Sequence, residues 1–164
     1  MPKVDDAATR NTLALAGLRV AVGCLFLIFA EYKVFGTEFT LGGLFQEWIR
    51  RFLQDGTAYP FMVPVLERLL QHGTAIAFLA AYGELAIGLA LVTGIWVRIA
   101  SGFGALYMLA LLFSSNYPGS GAPVWEYFGA ALNHLVLLLC FVTFLASRSD
   151  VALSLKPWLK RPGV

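Results

Sequence analysis

The stretch TAIAFLAAYGELAIGLALVTGIWVR, residues 74–98, decides the fold of this chain. Between positions 75 and 97 its one ionisable side chain apart from tyrosine is the carboxylic acid Glu84. A helical apolar run of this length spans the roughly 30 Å hydrocarbon core of a bilayer. A carboxylate at mid-membrane depth costs at least ~2.5–3.5 kcal/mol, so it is expected to face protein or a water-filled cavity. Its helical face also carries the small residues Ala77, Ala80, Ala81 and Gly88. Because small residues let a second helix approach closely, we expect Glu84 to point into a helix bundle.

The composition of the whole chain supports the same class of protein. The 164 residues are 59% hydrophobic and 13% charged, with a mean hydropathy of +0.72. Soluble domains carry about 25% charged residues, so this chain has too few to cover a soluble surface. The net charge of +2 is spread out and forms no basic stripe, which argues against a nucleic-acid partner. We expect a single integral membrane domain, residues 1–164, surrounded by membrane lipid.

Hydrophobic periodicity and turn residues divide the chain into four predicted membrane spans. After a polar segment of residues 1–11, the spans are expected at about residues 12–34, 75–97, 99–115 and 128–146. The long connection, residues 36–73, contains two shorter amphipathic helices, residues 44–54 and a second helix that begins near Pro64. Neither is long enough to span. The predicted fold is an all-α, four-helix transmembrane bundle with an amphipathic insert between the first two spans.

Three segments of the chain resemble a known family. The quoted stretch reads G-E-L-x-x-G-x-x-L-x-x-G-x-x-x-R, with Gly83, Glu84, Leu85, Gly88, Leu91, Gly94 and Arg98 in place. It resembles the second helix of the DoxX/DoxD family of small bacterial membrane proteins. LRVAVGCLFLIFAEYKVFG, residues 18–36, is similar to the first helix of that family. The aromatic-rich insert resembles the DoxD branch, the small subunit of thiosulfate:quinone oxidoreductase. The resemblance implies a membrane subunit that works with quinone.

Basic residues flank the predicted helices unequally, and cytoplasmic loops carry an excess of Lys and Arg. With both termini inside, the cytoplasmic side holds Lys3, Arg10, Arg98, Arg148, Lys156, Lys160 and Arg161. The other side then holds Lys33, Arg50, Arg51 and Arg68, all within or beside the insert. We therefore expect a multi-pass protein of the bacterial cytoplasmic membrane with both termini in the cytoplasm.

Glu84 and His134 are the two side chains whose chemistry and predicted depth suit proton transfer. Counted inward from the outer face at ~1.5 Å per residue, Glu84 lies about 15 Å deep and His134 about 9 Å deep. The two can meet if the second and fourth spans are neighbours. A carboxylate and an imidazole near a quinone carbonyl suit proton delivery, because quinone reduction takes up protons with electrons. The alternative is a structural role, with Glu84 satisfied by His134, Arg19, Asn133 or Tyr82.

Other charged residues are assigned to the rest of the bundle. A polar network within the bundle or around a bound quinone is expected to include Arg19, Glu31 and Arg98. Lys33, at the far end of the first span, is interpreted as an ordinary interface anchor. The only histidines are His72 and His134, and His72 is expected at the outer surface. We therefore expect neither haem nor a metal ion in this chain.

Three functions stay open at this stage. The first is a quinone-interacting subunit of a membrane oxidoreductase, whose other subunits would hold the redox centres. The second is a non-catalytic accessory subunit of a larger respiratory or photosynthetic complex. The third is a small permease, for which four helices would require oligomerisation.

Overall fold

The computed structural model describes residues 4–129 and 132–155, and within these ranges every regular element is a helix. In chain order the helices are α1 (Val4–Phe35), α2 (Thr37–Thr40), α3 (Leu44–Gln54), α4 (Val63–Gln71), α5 (Gly73–Thr93), α6 (Val97–Ser115), α7 (Val124–Gly129) and α8 (Leu132–Ala146). The predicted all-α fold is confirmed.

Three of these helices are long and apolar enough to cross a membrane: Ala8–Phe35 within α1, Gly73–Thr93 and Val97–Ser115. The fourth apolar helix, α8, has 15 described residues and follows two residues that the structure does not describe. Large apolar side chains cover the outer surfaces of the helices, among them Ile28, Phe29, Leu79, Phe103, Leu106 and Leu139. Such a surface suits lipid rather than water, and the molecule is a multi-pass helical membrane protein.

Two helix pairs form the bundle. α1 packs chiefly against α5, while α6 packs chiefly against α8, and α1 also contacts α8. The central core combines side chains of all four helices, including Val22, Phe26, Ile87, Leu91, Val97, Met108, Phe141 and Phe144. At its centre the rings of Phe26 and Phe141 meet edge to face with centroids 5.2 Å apart. Contact between α5 and α6 is less extensive than within either pair, which leaves room for a groove.

Small residues bring α1 and α5 close together. A Cβ atom built on Gly23 would lie 2.9 Å from the Leu91 Cβ, and one on Gly88 would lie 3.1 Å from the Gly23 carbonyl oxygen. Ala77, Ala81 and Glu84 lie on the same buried face of α5. The prediction that Glu84 shares a small-residue face directed into the bundle is therefore confirmed.

The insert forms a second, smaller core on the first half of α5. Phe39, Phe45, Ile49 and Leu66 are buried together with Ala77 and Ala81. The polar faces of α3 and α4 remain exposed, as Glu47, Arg50 and Glu67 show. The predicted amphipathic insert is thus confirmed, with one addition: it also contains the short helix α2, ahead of α3.

Main-chain hydrogen bonds join the insert to the loop after α6. The Tyr59 amide donates to the Phe113 carbonyl at 2.9 Å, and the Tyr117 amide donates to the Thr57 carbonyl at 2.8 Å. The Tyr59 ring also packs against Tyr117 and Tyr127. Burial raises the pKa of the Tyr59 phenol, and the neighbouring phenols raise it further. The insert and the loop after α6 therefore share one end of the bundle.

The observed helix limits differ from the expected ones at several places, most clearly at the start of the first span and the end of the second. α1 extends back to Val4, so most of the polar segment 1–11 is helical. α5 ends at Thr93 rather than at residue 97, because Gly94 takes a left-handed conformation with φ 75° and closes the helix. Four of the basic residues used to predict orientation lie outside the described residues: Lys3, Lys156, Lys160 and Arg161.

Candidate functional site

An apolar groove of about 740 Å³ lies between α5 and α6, next to α3 and α4. Four of its lining side chains, Leu79, Ile99, Phe103 and Leu106, are 59–69% exposed. Because those side chains lie on the apolar outer surface, the groove opens sideways toward lipid. Most of the lining is aliphatic or aromatic, and the polar side chains in it are Glu84, Trp96, Tyr107 and Ser114.

The polar centre of the groove is a buried cluster of three side chains from three helices. The Lys33 ammonium of α1 donates to both carboxylate oxygens of Glu84, at 2.5 Å to Oε1 and 2.7 Å to Oε2. The Tyr107 hydroxyl of α6 donates to the same Oε1 atom at 2.5 Å. Glu84 and Tyr107 line the groove, whereas Lys33 is not among its lining residues. Glu84 thus connects a cation within the bundle to a phenol at the groove wall.

Helix geometry explains why Lys33 reaches Glu84 rather than the membrane surface. α1 and α5 run antiparallel, with Gly23 beside Leu91 and Leu27 beside Gly88. Side chains of a helix tilt toward its N-terminus, so the Lys33 side chain returns about one turn along α1. That places its ammonium at the level of Glu84.

The surroundings of this ion pair are apolar. Lys33 and Glu84 are only 6% and 5% exposed. The Lys33 ammonium lies 5.1 Å from the centroid of the Phe39 ring and 5.6 Å from that of Tyr32, where cation–π attraction adds to the pairing. Removing two charges from water costs several kcal/mol each, and close geometry with further hydrogen bonds is what offsets that cost. Both conditions are met here, since the Lys33 ammonium contacts both carboxylate oxygens of Glu84 and the Tyr107 hydroxyl adds a third hydrogen bond.

Sequence reasoning missed two of the three members of this cluster. The interpretation of Lys33 as an interface anchor is wrong, because its ammonium is buried against Glu84. Tyr107 is absent from the predicted site, because one tyrosine in an apolar helix carries no local signal. The sequence did contain a usable signal for Lys33. Pairing Gly23 of α1 with the small-residue face of α5 fixes the register that sets Lys33 opposite Glu84.

The structure places His134 apart from Glu84. The His134 Nδ1 atom lies 2.7 Å from the Oδ1 atom of Asn116, at the end of α6. α8, which carries His134, packs on α6 and α1. His134 is not among the groove-lining residues, and the adjacent Ala130 and Ala131 lie outside the described residues. Glu84 and His134 therefore have different hydrogen-bonding partners.

The other predicted site residues also lie outside the groove. Arg19 is fully buried and donates to the main-chain carbonyls of Ser149 at 2.8 Å and Leu153 at 2.5 Å. Glu31 is exposed near the end of α1, and Arg98 is exposed in the first turn of α6. Among the residues that the structure describes, no group of three or more His, Cys, Asp or Glu side chains could hold a metal ion.

These features define a multi-pass helical membrane protein whose buried ion pair borders a lipid-facing apolar groove. A family model described as DoxX matches residues 14–116. The match covers more than half of the 164 residues, so the chain belongs to the DoxX family. No curated protein and no solved structure matches the chain. The matched range includes Lys33, Glu84 and Tyr107, and it ends before His134.

Proposed function

We propose that this protein is the quinone-interacting membrane subunit of an oxidoreductase of the thiosulfate:quinone type. The observation that carries the proposal is the groove, which is open to lipid and mostly apolar, with Glu84 and Tyr107 as its polar centre at mid-helix. Membrane quinones combine an apolar isoprenoid tail with a ring that bears two oxygens. The exposed apolar side chains suit the tail, and the carboxylate–phenol pair suits a ring oxygen.

The residues of the cluster suit proton exchange with such a ring. A quinone, when bound, accepts two electrons and two protons to become a quinol. Tyr107, at the groove wall, can give its proton to a ligand oxygen and recover one through Glu84. Glu84 in turn can recover a proton from the Lys33 ammonium, which donates to both of its oxygens. This relay assigns proton exchange to Tyr107, Glu84 and Lys33, and Lys33 also holds the carboxylate in place.

The electrons would come from outside this chain. In the proposed assembly a partner subunit oxidises a sulfur compound, as when two thiosulfate ions join to form tetrathionate and release two electrons. Those two electrons, together with two protons taken up from water, balance the reduction of one quinone to one quinol. We further propose that His134, Glu31, Arg19 and Arg98 support the bundle or its partner contacts, since none of them lines the groove.

A conservative variant of Glu84 tests the proposed function. Glu84→Gln keeps the shape of the side chain but removes its ability to take up and release a proton. Quinone-dependent turnover of the purified assembly should fall by on the order of 10²-fold or more, the usual scale for losing a general acid or base. The matched control is Glu67→Gln on the exposed face of α4, which should keep the wild-type rate. Wild-type turnover in the Glu84→Gln assembly would contradict a catalytic role.

A second candidate function is a non-catalytic accessory subunit of a larger membrane complex. The observation that favours it is that Lys33 and Tyr107 already satisfy both oxygens of Glu84, as a purely structural anchor requires. In that case the assembly carrying Glu84→Gln should be less stable, yet it should turn over quinone at the wild-type rate. The same variant therefore separates the two functions.

We also propose that both termini face the cytoplasm of a bacterial cell and that the insert faces outward. In a protein whose Cys24 and Cys140 are replaced by alanine, Asp55→Cys should react with a membrane-impermeant maleimide added to intact cells. Ser120→Cys, in the loop after α6, should react in the same way because both loops share one end of the bundle. Reaction of these cysteines only after the cells are opened would reverse the orientation.

A further inference from the structure

The hydrogen-bond donors and acceptors of the groove bear on whether it better suits the oxidised or the reduced form of a quinone ring. A carboxylate offers about four acceptor sites. Three sites of Glu84 are filled, two by the Lys33 ammonium and one by the Tyr107 hydroxyl. The single hydrogen of that hydroxyl is therefore already committed. What Glu84 and Tyr107 present to the groove is a remaining carboxylate lone pair and the lone pairs of the phenol oxygen.

The other polar groups of the groove extend this count. The Ser114 hydroxyl donates its hydrogen to the Ala110 carbonyl at 2.6 Å, so it too offers lone pairs. Among the groove-lining residues that the structure describes, Trp96 is the one whose side chain has an uncommitted N–H donor. Trp96 precedes Tyr107 by eleven residues, which is roughly 16 Å along a helix at ~1.5 Å per residue. The polar centre of the groove therefore offers acceptors and no free donor.

From this we propose that the groove selects the hydroxyl-bearing, reduced form of a quinone, the quinol, over the oxidised form, with Glu84 and Tyr107 accepting its O–H hydrogen. The inference rests on the proposed function and specifies the ligand of that same groove. A quinone carbonyl can only accept a hydrogen bond. To bind it, Tyr107 would have to turn its hydrogen away from a buried carboxylate and give up a charge-assisted hydrogen bond.

The preference has an expected size and a redox consequence. Losing one hydrogen bond to a charged group should weaken quinone binding about tenfold relative to quinol. By linkage, a tenfold tighter affinity for the quinol raises the two-electron midpoint potential of the bound pair by ~30 mV. The site would therefore favour reduction of the bound quinone and retain the quinol product in the groove.

The test compares three probes on the wild-type protein in lipid nanodiscs, by calorimetry without oxygen. The probes are a decyl-tailed benzoquinone, its quinol, and the dimethyl ether of that quinol, which has the same ring but no O–H hydrogen. We expect the quinol to bind about tenfold more tightly than either of the other two. Equal or tighter binding of the benzoquinone overturns the proposal, and so does ether binding as tight as that of the quinol.

Two variants connect the preference to the cluster. Glu84→Gln replaces the acceptor with an amide that also donates, so the quinol and the benzoquinone should then bind within about twofold of each other. Tyr82→Phe, which removes an exposed phenol of α5 outside the groove, should keep the tenfold preference. A tenfold preference that persists in Glu84→Gln overturns the role of the carboxylate. If Glu84→Gln does not fold, the ether comparison on the wild-type protein decides. Binding of none of the three probes would instead refute the proposed function itself.

Discussion

α1 carries two buried cations, Lys33 and Arg19, and the structure neutralises them in different ways. Lys33 meets a carboxylate, Glu84, that lines the groove. Arg19 instead donates to main-chain carbonyls of the segment after α8, with the carboxylate of Asp150 near enough to interact electrostatically. That segment is attached further by the Leu155 amide, which donates to the Thr93 carbonyl at 2.9 Å. Both cations are almost inaccessible, but only one is paired with a side chain that faces a binding space.

The difference separates a site that can exchange protons from one that holds the chain in place. A carboxylate and a phenol can change protonation state, and here they line a groove. Main-chain carbonyls cannot lose or gain a proton under these conditions, so Arg19 fixes the end of the bundle opposite the insert. A buried charge is therefore informative about function mainly through the group that neutralises it.

The largest expected effect comes from breaking the Lys33–Glu84 pair on one side. Lys33→Met leaves a buried carboxylate without its cation, which should lower the free energy of unfolding by about 3–5 kcal/mol. The double variant Lys33→Met/Glu84→Leu should recover most of that loss, because it removes both charges. Unfolding in mixed micelles would measure both values. A double variant as unstable as the single one would show that charge pairing is not what the site contributes.

The expected loss in the free energy of unfolding is smaller for a variant of Arg19. Arg19→Met removes hydrogen bonds from a charged donor to two neutral carbonyls, so we expect roughly 1.5–3 kcal/mol. The loss should be local, with trypsin cutting after Arg148 about tenfold faster than in the wild type. Proton exchange and ring binding in the groove should not change. If Arg19→Met altered the quinol preference, the two ends of the bundle would be coupled rather than separate.

A third variant tests whether close packing of α1 and α5 sets the register of the pair. In Gly23→Ala the new methyl group would lie 2.9 Å from the Leu91 Cβ and 3.0 Å from the Val92 amide nitrogen. Such overpacking should cost about 1–3 kcal/mol and shift Lys33 relative to Glu84. Gly17→Ala is the matched control in the same helix, because no heavy atom lies within 4 Å of its added Cβ. Equal stability of the two variants would argue against a tight α1–α5 contact.

The smallest effect is expected at an ion pair exposed on the insert. Glu47 and Arg51 lie one turn apart on α3, and both side chains are more than half exposed. Glu47→Gln should lower the free energy of unfolding by only about 0.3–0.5 kcal/mol, and 0.5 M salt should remove most of that difference. The contrast with Lys33→Met measures how much burial strengthens a pair. A loss above about 1 kcal/mol would mean that the exposed pair has a further role.

The helices were predictable from the chain because each depends on local composition. Residues 44–54 show an apolar face at helical spacing, and the structure forms α3 over the same residues. The predicted end of the second span was too late by four residues, since the apolar run continues through Ile95 and Val97. Gly94 stops the helix there by its backbone conformation, a local signal that the apolar pattern obscured.

The site was predictable only in part. The sequence by itself determined that Glu84 lies on a small-residue face and needs hydrogen-bonding partners inside the bundle. The length and hydropathy of the stretch 74–98 place this carboxylate within the membrane, where leaving it unpaired costs free energy. It also determined the family resemblance that the match over residues 14–116 confirms. The tertiary structure decided the partners of Glu84, although the small residues of α1 and α5 offered a partial signal for Lys33. Lys33 lies 51 positions and Tyr107 lies 23 positions away along the chain, and packing of α1, α5 and α6 brings all three together. Helix register and packing angle are properties of pairs of helices, and no single stretch of sequence contains them.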